Sequence, residues 1–303
     1  FALGQALAYS VAFAPGDLGL LVASDRAGIS HWGSKPPYGL LHHLDHDGAS
    51  VAAGPGGLAV SAGGGRVIAW DLSSGSARKE FHIPTVAATD RTVSIAVPSS
   101  NTVLVSSTLD KIDRVDLATG AVTQEFSASG AGIDIFGGHF SLTSNGKVLA
   151  TVNDGAPSTI RLWDVSSGQP IRDITAKPAF EGHITNLALS PDGAHLAITG
   201  QTWGGLDLPL VRIWDVSLGK VVRTLDGQSR LGEGVTLSPD ENRIFTWSST
   251  IARSYATELR SSLPRSNPGP GARAWNITTG RPEQSFGKGD LDFFALTSDG
   301  RRV

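Results

Sequence analysis

The chain has 303 residues, enough to bury a sizeable core. Its 37 glycines, set against only 17 % charged residues, fit a turn-dense all-β protein. The net charge of −3 gives no field to hold a nucleic-acid backbone or an anionic membrane. The absence of Cys removes disulfides, Cys-based zinc sites and thiol nucleophiles, and the apolar runs fall short of a membrane span.

Two short phrases recur in chain order. The first is an apolar alternation that ends in a Pro- or Asp-Gly-type turn. It reads VAFAPG from Val11, VAAGPG from Val51, SIAVPS from Ser94, FSLTSNG from Phe140, LALSPDG from Leu187, VTLSPD from Val235 and FALTSDG from Phe294. Pro presets φ and Asp-Gly closes the turn, so each copy predicts a strand entering a hairpin, with a second strand such as LLVAS from Leu20 behind it. The second phrase is RVIAWDLSSG from Arg66, KIDRVDLATG from Lys111, IRLWDVSSG from Ile160, VRIWDVSLG from Val211 and ARAWNITTG from Ala272, with Trp32 marking a degenerate first copy. Alternation predicts the third strand, the closing Gly a turn into a fourth. Seven hairpin phrases predict seven four-stranded units.

These residues resemble the WD40 repeat: WD at Trp70-Asp71, Trp163-Asp164 and Trp214-Asp215, SPDG at Ser190 to Gly193, and Gly-His at Gly182-His183. Val115-Asp116 and Trp275-Asn276 depart from the dipeptide. The resemblance implies an all-β, seven-bladed β-propeller of four-stranded antiparallel blades. It makes residues 1–303 one domain, with blades at 5–44, 45–84, 88–127, 136–177, 182–227, 231–287 and 290–303. The last is incomplete and is closed by residues 1–4, so further residues are expected beyond both ends. It also implies structural roles for Trp70, Asp71, Trp163, Asp164, Trp214, Asp215 and Trp275. His183 is expected to tie to Thr199 and Trp214, and Asp25, Asp110 and Asp154 to serve turns.

Candidate chemistry is sparse. In the first strand of each unit, one column of side chains (Val51, Leu187, Leu189, Val235, Leu237) is expected between blades, and a column of small residues (Ala12, Ala14, Ala188, Ser190) along a channel. Carboxylates or His converging on the axis, as a propeller hydrolase or lactonase would need, are missing from that column; at its mouth stand His139, Asn186, Glu233 and Asp292. The tract LHHLDHDG from Leu41 has metal-ligand types in His42, Asp45, His46 and Asp47, but its place at a strand end predicts an exposed polar turn. No nucleophile elbow or phosphate loop is found. Neither a metal nor a cofactor is expected, and no catalytic residue is assigned.

Two connections between second and third strands are long: Gln201 to Pro209, and Ser248 to Gly271. They carry Trp203, Asp207, Arg253, Tyr255, Arg260 and Arg265, with Arg273 at the far end. Arg forks beside aromatic anchors suit an acidic or phosphorylated protein or peptide. The expected function is a non-catalytic interaction scaffold, in the cytoplasm, in which the domain can serve as the regulatory or sensor part of a larger protein. A propeller enzyme using His139, Glu233 and Asp292 is the alternative.

Overall fold

The structure is a computed structural model. It describes residues 8–14, 19–24, 28–35, 39–46, 50–83, 93–108, 111–127, 140–153, 159–176, 182–202, 210–225, 233–248, 271–287 and 294–297. Among them are six four-stranded antiparallel sheets, each of four consecutive strands. Blade 1 is β1 (Ala8–Ala14), β2 (Gly19–Ser24), β3 (Ile29–Trp32) and β4 (Leu40–Leu44). Blade 2 is β5 (Ser50–Gly54), β6 (Leu58–Gly63), β7 (Arg66–Asp71) and β8 (Ser76–His82). Blade 3 is β9 (Ser94–Ser99), β10 (Thr102–Thr108), β11 (Lys111–Asp116) and β12 (Val122–Ser127). Blade 4 is β13 (Phe140–Leu142), β14 (Val148–Asn153), β15 (Thr159–Asp164) and β16 (Pro170–Thr175). Blade 5 is β17 (Gly182–Leu189), β18 (His195–Thr202), β19 (Leu210–Asp215) and β20 (Lys220–Leu225). Blade 6 is β21 (Glu233–Leu237), β22 (Arg243–Ser248), β23 (Ala272–Asn276) and β24 (Pro282–Phe286).

The chain divides into two compact units, one of residues 1–128 and 295–303, the other of residues 129–294. The first contains blades 1 to 3, with β5 packed against both β1 and β9; the second contains blades 4 to 6, with β17 packed against both β13 and β21. First strands side by side and fourth strands outermost are the arrangement of β-propeller blades in each unit. Six of the seven expected blades are thus described. Most of the seventh, with its closing residues 1–4, lies outside the described residues, and Phe294 to Thr297 form no strand.

In blades 2 and 5 sheet alternation places one face of each middle strand against the blade before and the other against the blade after. Ala59 and Trp70 cluster with Leu21, Ala23, Ile29 and Leu44 of blade 1, whereas Leu58, Val60 and Ala69 cluster with Val103, Val105 and Val115 of blade 3. In the second unit Leu196 and Trp214 cluster with Leu162 and Ile174 of blade 4, and Ala197 and Ile213 with Ile244 and Trp275 of blade 6. The small-residue column of the first strands therefore needs correcting. Ala14, Ala188 and Ser190 are buried, and Ala14 and Ala188 pack into the clusters between blades, because the first strand of the following blade covers their face.

The anchor position also carries a register shift. In every described blade the pairing of third with fourth strand shifts register at this position: His31/Trp32, Ala69/Trp70, Arg114/Val115, Leu162/Trp163, Ile213/Trp214 and Ala274/Trp275. A repeated bulge adds local twist at the same place in each blade.

Candidate functional site

The predicted docking residues fall largely outside what the structure describes. β18 ends at Thr202 and β19 begins at Leu210, so Trp203 and Asp207 lie outside the described residues; β22 ends at Ser248 and β23 begins at Ala272, so Arg253, Tyr255, Arg260 and Arg265 do too. The frame around them is defined. Both stretches join second to third strands in blades packed together through β17 and β21, and so leave corresponding ends of neighbouring blades. Arg273 belongs to the blade itself: it pairs with Thr246 across the sheet, and its guanidinium lies 5.9 Å from the Trp275 ring. Of the alternative mouth set, His139 and Asp292 lie outside the described residues, and of Glu233 only the backbone, opening β21, is described.

The polar side chains that are described serve the blades. The Trp70 indole Nε1 donates to Ser61 Oγ at 2.8 Å; Ser61 Oγ lies 2.6 Å from His46 Nδ1, and His46 Nε2 is 3.0 Å from Gly63 O. A carbonyl only accepts, so Nε2 carries a hydrogen. Trp163 donates to Thr151 Oγ1 and Trp275 to Thr246 Oγ1, each at 3.0 Å. In all three blades the hydroxyl stands two residues beyond the strand partner of the Trp, on the same face. Blade 3 replaces both members with buried valines, Val105 and Val115, and keeps its packing without the tie.

This geometry revises two expectations. His46 is 1 % exposed and meets β6 through both ring nitrogens, so this residue of the tract from Leu41 is a buried member of the blade rather than part of an exposed turn. His42 stacks on His31 with ring centroids 5.5 Å apart, and Asp47 lies outside the described residues. In blade 5 the partner of Trp214 is Leu196 and the residue two beyond it is Ile198; Thr199 is one further, on the opposite face, and bonds to Asn186 O at 3.4 Å. The register thus sets Thr199 toward blade 6 and Trp214 toward blade 4. The side chain of His183 lies outside the described residues, as do Asp25, Asp110 and Asp154.

The Asp of the WD dipeptide caps the turn between third and fourth strands. Asp164 Oδ1 accepts from Ser166 Oγ at 2.6 Å, Ser167 N at 2.7 Å and Ser167 Oγ at 2.9 Å, while Gly168 N donates to Asp164 O. The Ser166 hydroxyl and then the Ser167 amide stabilise its charged form, lowering the pKa to about 2. Asp71 is held below the usual carboxylate range by the Ser73 hydroxyl and then by Arg78, Asp116 by the Thr119 amide, and Asp215 by the Ser217 hydroxyl. Asn276 makes the same turn without charge, accepting from Thr279 N and Oγ1.

These turns also join neighbouring blades. Lys79 of blade 2 donates to the Ala118 carbonyl in the turn of blade 3. Arg172 of blade 4 reaches the Val216 and Ser217 carbonyls of blade 5, and Arg223 of blade 5 reaches Thr278 O of blade 6. The three cations occupy one register position, opposite the residue before the Trp anchor. His42 holds that position in blade 1 and packs against Gly75 in the turn of blade 2. Leu162, Ile171, Arg172, Asp192 and Val216 line a cleft of about 410 Å³ that this clamp crosses.

No protein-family model and no curated protein matches the chain. Among the described residues no group of three or more His, Asp or Glu side chains is placed to hold a metal ion, and no helix is long and apolar enough to cross a membrane.

Proposed function

We propose that this chain is a seven-bladed propeller of the WD40 type, folded as one domain, that acts as a non-catalytic scaffold for protein association. In this reading an acidic or phosphorylated segment docks on the two long connections of blades 5 and 6. The observation that carries it is the common origin of the two stretches: both replace short turns, at corresponding ends of adjacent blades. Between them they hold Trp203, Tyr255, Arg253, Arg260 and Arg265. Long connections in compact domains are functional more often than chance would give. The arginines supply planar donor pairs for carboxylate or phosphate, and the aromatic residues add apolar area. Arg273, engaged with Trp275, lies at the base of this surface rather than in its charged set.

The seventh blade is supported by Phe294. Its ring lies 5.1 Å from that of Trp247 at 18° and 5.5 Å from that of Phe245, so the chain after β24 returns against the second strand of blade 6. A following blade would place its first strand there.

A panel of acidic, phosphorylated and neutral peptides tests the chemistry. The native chain should bind acidic or phosphorylated members. Reversing Arg253, Arg260 and Arg265 to Glu should lower affinity by about tenfold or more, since each lost charge-assisted bond is worth roughly 1 kcal/mol or above. Equal binding of both forms to the acidic and phosphorylated peptides would overturn the reading.

A further inference from the structure

We infer that β4 is a self-pairing edge, through which two copies of the chain join strand to strand in antiparallel, two-fold fashion. This stands on blade 1 alone and does not rest on the docking surface above.

Among the described residues β4 is the terminal strand of its sheet, so one side of its backbone has no strand partner there. Such edges are normally protected by charge, and the other described blades follow that rule. β8 carries Arg78, Lys79 and Glu80; β12 carries Glu125; β16 carries Arg172 and Asp173; β20 carries Lys220 and Arg223; β24 carries Glu283. β4 reads LLHHL, with no Lys, Arg, Asp or Glu. Leu40 and Leu41 are 52 % and 51 % exposed.

Charge compatibility favours a second copy as the occupant. Pairing centred on His42 sets Leu40 opposite Leu44 and Leu41 opposite His43, with no like formal charges facing. The same operation on β8 about Lys79 would stack lysine on lysine. On β16 the charges are already committed, Arg172 to the next blade and Asp173 to Arg161 at 2.6 Å. A five-residue edge gives a small interface, so the dimer belongs to the weak class, with Kd of roughly 10–100 µM.

Sedimentation equilibrium of the full chain near pH 8, up to about 200 µM, tests this. The inference expects a dimer that becomes a monomer in Leu41→Lys and in Leu40→Lys, both at exposed positions, with the melting temperature unchanged. Because the chain has no Cys, a second readout is clean. Leu41→Cys and His43→Cys chains mixed under oxidising conditions should cross-link in higher yield than either alone, since that pairing brings their Cα atoms within disulfide range. A native chain that stays monomeric overturns the inference, even if it captures some other protein. So does a dimer that survives both Lys variants, which would place the contact on another surface.

Discussion

Ser61 sits between two buried polar groups, taking the Trp70 hydrogen and meeting His46. Ser61→Ala leaves an indole N–H and a ring nitrogen without that partner in the blade 1–2 core, and should cost about 2 kcal/mol in urea unfolding. The equivalent Val105→Ala removes packing and no polar tie. A loss of less than about 0.5 kcal/mol for Ser61→Ala would show that the network does not stabilise the blade. The role of His46 was within reach of the sequence, since it stands 15 residues before Ser61, much as His183 precedes the second strand of blade 5. What concealed it was its place in a His- and Asp-rich tract without the Gly-His pair. Thr199 misled in the opposite way: it lies in the expected strand, but one step of alternation puts it on the other face.

The turn carboxylates give the fold an acid limit. Asp164 titrates near 2 when folded, below its unfolded value near 4, and Asp71, Asp116 and Asp215 shift the same way. A depressed folded pKa means that this stabilisation is complete above about pH 4 and is lost as pH falls toward about 2. Urea midpoints should therefore fall over that window. Asp164→Asn, which copies Asn276, should flatten the fall while changing neutral stability little. An unchanged slope would mean the caps do not couple to folding.

At the scale of elements, closing glycines with similar backbones should differ in tolerance. Gly219 has φ +62° with open space around it, so Gly219→Ala should cost about 1 kcal/mol, from the left-handed conformation alone. Gly120 has φ +80°, and a Cβ there would lie 2.2 Å from Phe81 of the preceding blade, so Gly120→Ala should cost clearly more. Equal melting temperatures for the two variants would contradict the packing described for blades 2 and 3. The strands and these turns were legible because alternation, Asp and Gly act over a few residues. The clamps from Lys79, Arg172 and Arg223 were not, because each side chain reaches a carbonyl about 40 to 55 residues away, whose position only the register of two sheets defines.

For the whole molecule, repeats read from the sequence anticipated six described sheets in the correct order, since each phrase encodes one local hairpin. The docking surface is another matter: strand phrases locate where Trp203 and Arg253 to Arg265 interrupt the repeat, but no periodicity relates those side chains to one another. Affinity capture from native lysate analysed by mass spectrometry, comparing the full chain with one lacking Ala252 to Pro270 and recording both melting temperatures, tests the scaffold reading most directly. Specific partners should disappear with the deletion while the melting temperature stays nearly unchanged. An identical set of partners for both forms, or a large loss of melting temperature on deletion, would contradict the scaffold reading.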